Sequence, residues 1–151
     1  MPAAVKRRTL LLLLALGVSV VFAAWQWFRP YDWSRDEAAG YRVSQCMVER
    51  DHSNLWLRVF LKQDGDNDYD MLNPARLLTS NGKEHEPADT DLSGNASRKM
   101  DTLVFSFWLT PEDLAGPINL KLNEGSLTIR TGNTAPSLPD GGFRVFNSSS
   151  W

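Results

Sequence analysis

The sequence predicts a mainly β chain: an antiparallel two-sheet sandwich behind one N-terminal transmembrane helix. Three observations predict it. Thr9–Phe28, TLLLLLALGVSVVFAAWQWF, holds no charge between the cluster Lys6-Arg7-Arg8 and Arg29, and about twenty residues rising ~1.5 Å each cross a hydrocarbon layer of ~30 Å. From Tyr41 onward the apolar period becomes two. Short runs of that period then recur about every ten residues with turn chemistry between them and almost no helical pattern.

The first run also carries the small-x-small triplet Val21-Phe22-Ala23 ahead of Ala24, which a signal peptidase accepts. A cleaved leader competes with a retained anchor on that ground. The apolar run continues past the triplet through Trp25, Trp27 and Phe28, longer than the roughly 7 to 15 residues of a signal core. Those aromatics also form the belt expected where a helix leaves a bilayer, and the basic flank is N-terminal. A retained helix over 9–28 is favoured, with residues 1–8 cytoplasmic and those from 29 onward extracytoplasmic, periplasmic in a bacterial inner membrane.

The 123 residues from Arg29 suit one domain. All 18 acidic residues and 13 of the 16 basic ones lie there, a formal charge of −5. That balance excludes a basic face for nucleic acid. The single Cys46 rules out an intramolecular disulfide. The sequons Asn95-Ala96-Ser97 and Asn147-Ser148-Ser149 matter only in a host that glycosylates exported chains.

In chain order, residues 29–40 read as a stalk opened by Pro30, with Tyr31 and Trp33 at the lipid headgroups or on a neighbour. The domain proper runs from 41 to 146. Its first strand places Tyr41, Val43, Gln45 and Met47 on one face and Arg42, Ser44 and Cys46 on the other. In NLWLRVFLK, Leu55, Leu57, Val59 and Leu61 face the core, while Trp56, Arg58, Phe60 and Lys62 alternate aromatics with cations on the other side. Residues 71–80 read as an irregular or edge strand because Pro74 lacks a ladder donor.

Residues 83–101 form a polar connection that crosses between sheets, with room for one edge strand. TLVFSFWL, 102–109, is the strongest β signal; Leu103, Phe105, Phe107 and Leu109 point inward, and Val104, Ser106 and Trp108 outward. Thr110-Pro111-Glu112-Asp113-Leu114 reads as one helical turn with an N-cap threonine. A hairpin follows across Asn123-Glu124-Gly125, then a loop, a short strand at 143–146, and a tail, 147–151, expected to fray before Trp151.

Chemistry is sparse. Asp64, Asp66, Asp68 and Asp70 alternate as calcium-loop ligands do, but counting from Asp64 the positions that need Gly and Glu hold Tyr69 and Ala75. His52 and His85 sit in polar turns, and Glu84/Glu86 and Glu112/Asp113 read as solvated pairs. Cys46, Met47, His52, His85 and Met100 include blue-copper ligand types, but the cysteine comes first and within a strand, so Cys46 reads as a small buried hydrophobe. No phosphate loop, Cys-x-x-Cys, His-Glu-x-x-His or nucleophile elbow is present. No catalytic residue and no cofactor are expected.

The LxLxVxL strand, the glycine-marked turn, the FxFxL strand and the PEDL turn before the last hairpin together resemble the single-pass, immunoglobulin-like ectodomains of bacterial envelope proteins. The antibody-type Cys…Trp…Cys hallmark is missing, so the resemblance implies a layout and no functional residue. Surplus aromatics remain: Trp25, Trp27, Trp33, Trp56, Phe60, Trp108 and Trp151 are the candidate partner contacts. The expectation is a non-catalytic accessory subunit of a membrane complex (respiratory, photosynthetic, secretion or transport) that meets lipid and other subunits. The alternative is a membrane-tethered small-ligand or calcium sensor.

Overall fold

The computed structural model describes residues 3–27, 33–94, 96 and 100–151. They fall into two compact units divided after Asp32. In the first, α1 (Ala3–Trp27) is a single helix, and Lys6–Trp27, with mean hydropathy 2.1, is long and apolar enough to cross a membrane. Its leucines from Leu10 to Leu16 and valines from Val18 to Val21 are exposed. Ser19 donates its hydroxyl to the Ala15 carbonyl at 2.9 Å, which satisfies it within the helix. Phe28 and Tyr31, assigned above to the aromatic belt and the stalk, lie outside the described residues, as does the sequon asparagine Asn95.

The second unit is mainly β, in two antiparallel sheets. Its strands are β1 (Tyr41–Asp51), β2 (Asn54–Gln63), β3 (Arg76–Thr79), β4 (Glu84–His85), β5 (Asp89–Gly94), β6 (Met100–Leu109), β7 (Ile118–Leu122), β8 (Gly125–Arg130) and β9 (Phe143–Phe146). One sheet has the order β5-β6-β2-β1-β9 and the other β4-β3-β7-β8. The polar connection crosses between them as β4 gives way to β5. Leu55, Leu57, Val59 and Leu61 of β2 stand opposite Leu109, Phe107, Phe105 and Leu103 of β6. With Leu77, Ile118, Leu120, Leu122, Leu127 and Ile129 of the other sheet they form one buried cluster. Each such side chain stabilises by about 1.5 to 3 kcal/mol on burial.

Five local expectations are corrected. In β1 the alternation breaks between Val43 and Gln45, where a bulge shifts the register against β2. After it Cys46 and Val48 are buried and Gln45 and Met47 turn outward; a bulge adds one residue and so inverts the side-chain parity beyond it. The strand predicted at 71–80 starts only after Pro74, and β3 is interior to its sheet, between β4 and β7. Thr110 to Gly116 is a single turn and no regular helix, although Thr110 does cap it: its hydroxyl accepts the Asp113 N–H at 3.4 Å and its carbonyl the Asp113 and Leu114 N–H groups at 3.1 and 3.4 Å.

The stalk also contracts, because Trp33, 9% exposed, and Ala39 join the core. Asp36 caps a 3₁₀ turn, Glu37–Ala39, and a Cβ at Gly125 would collide with Ala39, so this segment lies directly on β8. The tail does not fray. Trp151 stacks on Phe146 at 4.3 Å and 13°, and the Arg130 guanidinium lies 4.9 Å from its ring. Its indole N–H donates to Ile129 O at 3.0 Å, and its carbonyl accepts from Arg130 Nε at 2.8 Å. A glycine at 132 is required, since a Cβ there would enter the Trp151 carbonyl.

Candidate partner-binding face of the first sheet

Antiparallel register puts directly opposed residues on one side of a sheet, so the outward face of the first sheet is read row by row. Phe143, Glu49, Trp56 and Trp108 make one row across β9, β1, β2 and β6. Val145, Met47, Arg58, Ser106 and Asp89 make the next, reaching β5. Gln45, Phe60, Val104 and Asp91 make the third. The β1 bulge creates this face, because without the inverted parity Cys46 and Val48 would stand where Met47 and Glu49 do.

Three sequence-predicted contacts, Trp56, Phe60 and Trp108, therefore share one surface. Trp56 and Trp108 meet edge-on, with centroids 4.6 Å apart at 61°, a favourable aromatic geometry. Trp108 is 40% exposed, Phe143 66% and Val145 42%, so apolar area continues across the sheet to β9. Arg58 points along this face with an ion pair to Glu49 at 3.6 Å.

Between β2 and β5 the face sinks into a groove of about 430 Å³. Its floor along β6 is low because Ser106 and Val104 are small. One wall is Trp56, Arg58 and Phe60, and the other is Asp89 and Asp91 on the edge strand. Sequence reasoning passed over these two aspartates, although the period-two pattern Asp89-Thr90-Asp91 placed in an edge strand was the available signal. Both are exposed, and neither forms an ion pair among the described residues. The Asp89 carboxylate accepts the neighbouring Thr90 N–H at 2.9 Å.

The remaining predicted contacts lie elsewhere. Trp25 and Trp27 are exposed on α1, with Trp25 6.2 Å from Phe22. Trp33 is core and Trp151 is docked on its own domain, so neither offers a free ring.

The calcium candidates do not gather either. Asp64 is 3.7 Å from Arg35, Asp68 accepts from Gln63 at 3.1 Å, and Asp70 accepts the Leu72 N–H at 2.9 Å. Their loop is pinned by other residues. The Tyr69 ring packs edge-on against Phe105 and its hydroxyl accepts from Ala75 N–H, while Asn123 accepts the Asp70 N–H at 2.8 Å and donates to the carbonyls of Ala39 and Asp68. Among the described residues no three His, Cys, Asp or Glu side chains are placed to hold a metal ion.

The titratable groups with strong environments are structural. Asp113 was expected in solvent and is 2% exposed. Burial pushes its carboxyl up, but hydrogen bonds from Asn81, from the Thr110 N–H and hydroxyl and from Lys83 outweigh that and hold it well below the usual carboxylate range. His85 is half-buried, with Nε2 3.7 Å from Asp113. Burial pushes the Cys46 thiol far up, as befits a core residue. His52, fully exposed in the β1–β2 turn, is raised by its hydrogen bond to Asp51 and by the nearby Asp140.

No protein-family model, no curated protein and no solved structure matches this chain.

Proposed function

We propose that this protein is a non-catalytic accessory or scaffold subunit of a larger membrane complex, of the respiratory, photosynthetic, secretion or transport kind. Its helix is the anchor and packs beside other spans. Its basic N-terminal flank stays in the cytoplasm, and the immunoglobulin-like sandwich meets a partner on the periplasmic side through the outward face of the first sheet. The observation that carries this reading is the aromatic surface. Trp56, Trp108, Phe60 and Phe143 crowd a sheet face opposite the core, and large aromatic surfaces with an arginine among them are where partners dock.

Co-purification from native membranes in mild detergent is the test. The wild-type chain brings stoichiometric partner subunits, and Trp56→Ala with Trp108→Ala loses them while the domain stays folded by near-UV circular dichroism. A monomer under the mildest extraction overturns the reading.

A further inference from the structure

The groove beside β5 says more about the partner than the aromatic face does. Its two walls differ in chemistry: rings of Trp56 and Phe60 on one side, the carboxylates of Asp89 and Asp91 on the other, with the Val104 methyls and the Ser106 hydroxyl between. Such a trough suits a long side chain with an apolar stem and a cationic head, the stem lying on the floor and the head between carboxylate and ring face. Arg58 also lines the groove and pairs with Glu49 at 3.6 Å, which leaves two carboxylates against one guanidinium along its walls. Asp89 and Asp91 are two residues apart on one face of a strand, so they repeat at about 6.6 Å, the spacing of alternate side chains in any other extended chain.

We propose that the β5 groove binds an extended, basic segment of a partner protein, with lysines or arginines at alternate positions opposite Asp89 and Asp91. This rests on the scaffold reading and names the chemistry of its partner. Charge complementarity favours it: the domain is acidic overall, and Asp89 and Asp91 on the groove wall form no ion pair among the described residues.

The test uses the full chain in detergent micelles and three synthetic nonapeptides: alternating Lys-Val, alternating Glu-Val, and one of equal composition to the first with its lysines contiguous. Binding is read by tryptophan fluorescence and by calorimetry. The alternating lysine peptide binds at least tenfold more tightly than the other two, and it weakens tenfold between 50 and 300 mM salt, on the order expected for exposed charges. Asp89→Asn with Asp91→Asn removes both the preference and the salt dependence. Equal binding of all three peptides to the wild-type protein overturns the inference without any variant, as does full retention of binding in the double variant.

The scaffold reading fails separately. Native subunits retained by the double aspartate variant but lost on Trp56→Ala with Trp108→Ala leave the scaffold standing and sink the basic-segment inference. Absence of any native subunit with the wild-type chain sinks the scaffold itself.

Discussion

Asp64, Asp66, Asp68 and Asp70 stand together on one loop at alternate positions, whereas Asp113 sits in an ordinary turn after β6, yet it is Asp113 that the fold buries. The loop aspartates turn to solvent or to one partner each, and their segment is held by Tyr69 and Asn123 instead. Asp113 collects donors from two places: Thr110 in its own turn, and Asn81 at 2.8 Å and Lys83 at 3.1 Å from the β3–β4 connection. It thereby ties the end of β6 in one sheet to β3 and β4 in the other. The density of carboxylates along a sequence therefore says little about which one carries structure. That is set by which donors the topology brings to it.

The sharpest test of this contrast is Asp113→Ala. It leaves Asn81 and the Thr110 N–H without their acceptor and removes the cross-sheet tie, for a loss of about 3 kcal/mol and a melting temperature about 10 °C lower. Asp113→Asn keeps the shape, but at either position the introduced amide nitrogen faces an N–H donor, from Asn81 and Lys83 on one side or from the Thr110 backbone on the other. About 2 kcal/mol is expected by denaturant titration.

Acid probes the Asp113 cluster next. A carboxyl held below its ordinary range stabilises the fold above its unfolded pKa, and that contribution is lost as pH falls toward the folded value. Wild-type stability accordingly declines from about pH 5 downward, and the gap between wild type and Asp113→Asn narrows over the same window.

The docked tail extends the comparison to an aromatic. Trp151→Ala removes the ring stacked between Phe146 and Arg130 and exposes a guanidinium that is 2% exposed, for about 2 kcal/mol. Amide exchange quickens at Thr131, whose N–H is bonded to Ser149 O at 2.8 Å, and stays slow at the centre of β2.

Much of this fold was legible because period two and the core face are the same information in a sandwich. Leu55 to Leu61, Leu103 to Leu109 and the β7–β8 hairpin needed nothing else. The β1 parity was not, although Cys46 and Val48 are more apolar than Gln45 and Met47, which is the trace a bulge leaves. Trp151 and Asp113 were misplaced for a common reason: Ile129 and Arg130 hold the one and Asn81 and Lys83 the other from about twenty to thirty residues away, and no local pattern encodes such a meeting. Half of the candidate face was read from the Trp56, Phe60 and Trp108 alternation. The other half, Asp89 and Asp91, needed the pairing of β5 with β6.

The smallest expected effect bears on the acidic loop itself. With Asp64 beside Arg35, Asp68 on Gln63 and Asp70 on Leu72, a cation would have to break separate contacts and draw the backbone in against Asn123. Asp66→Asn with Asp68→Asn therefore changes stability by less than about 0.5 kcal/mol, and 1 mM calcium leaves the wild-type melting temperature unchanged, since an ion that binds the native state raises it. A calcium-dependent rise in the wild-type chain that this double variant abolishes would restore the sensor alternative and reverse the contrast between the two carboxylate turns.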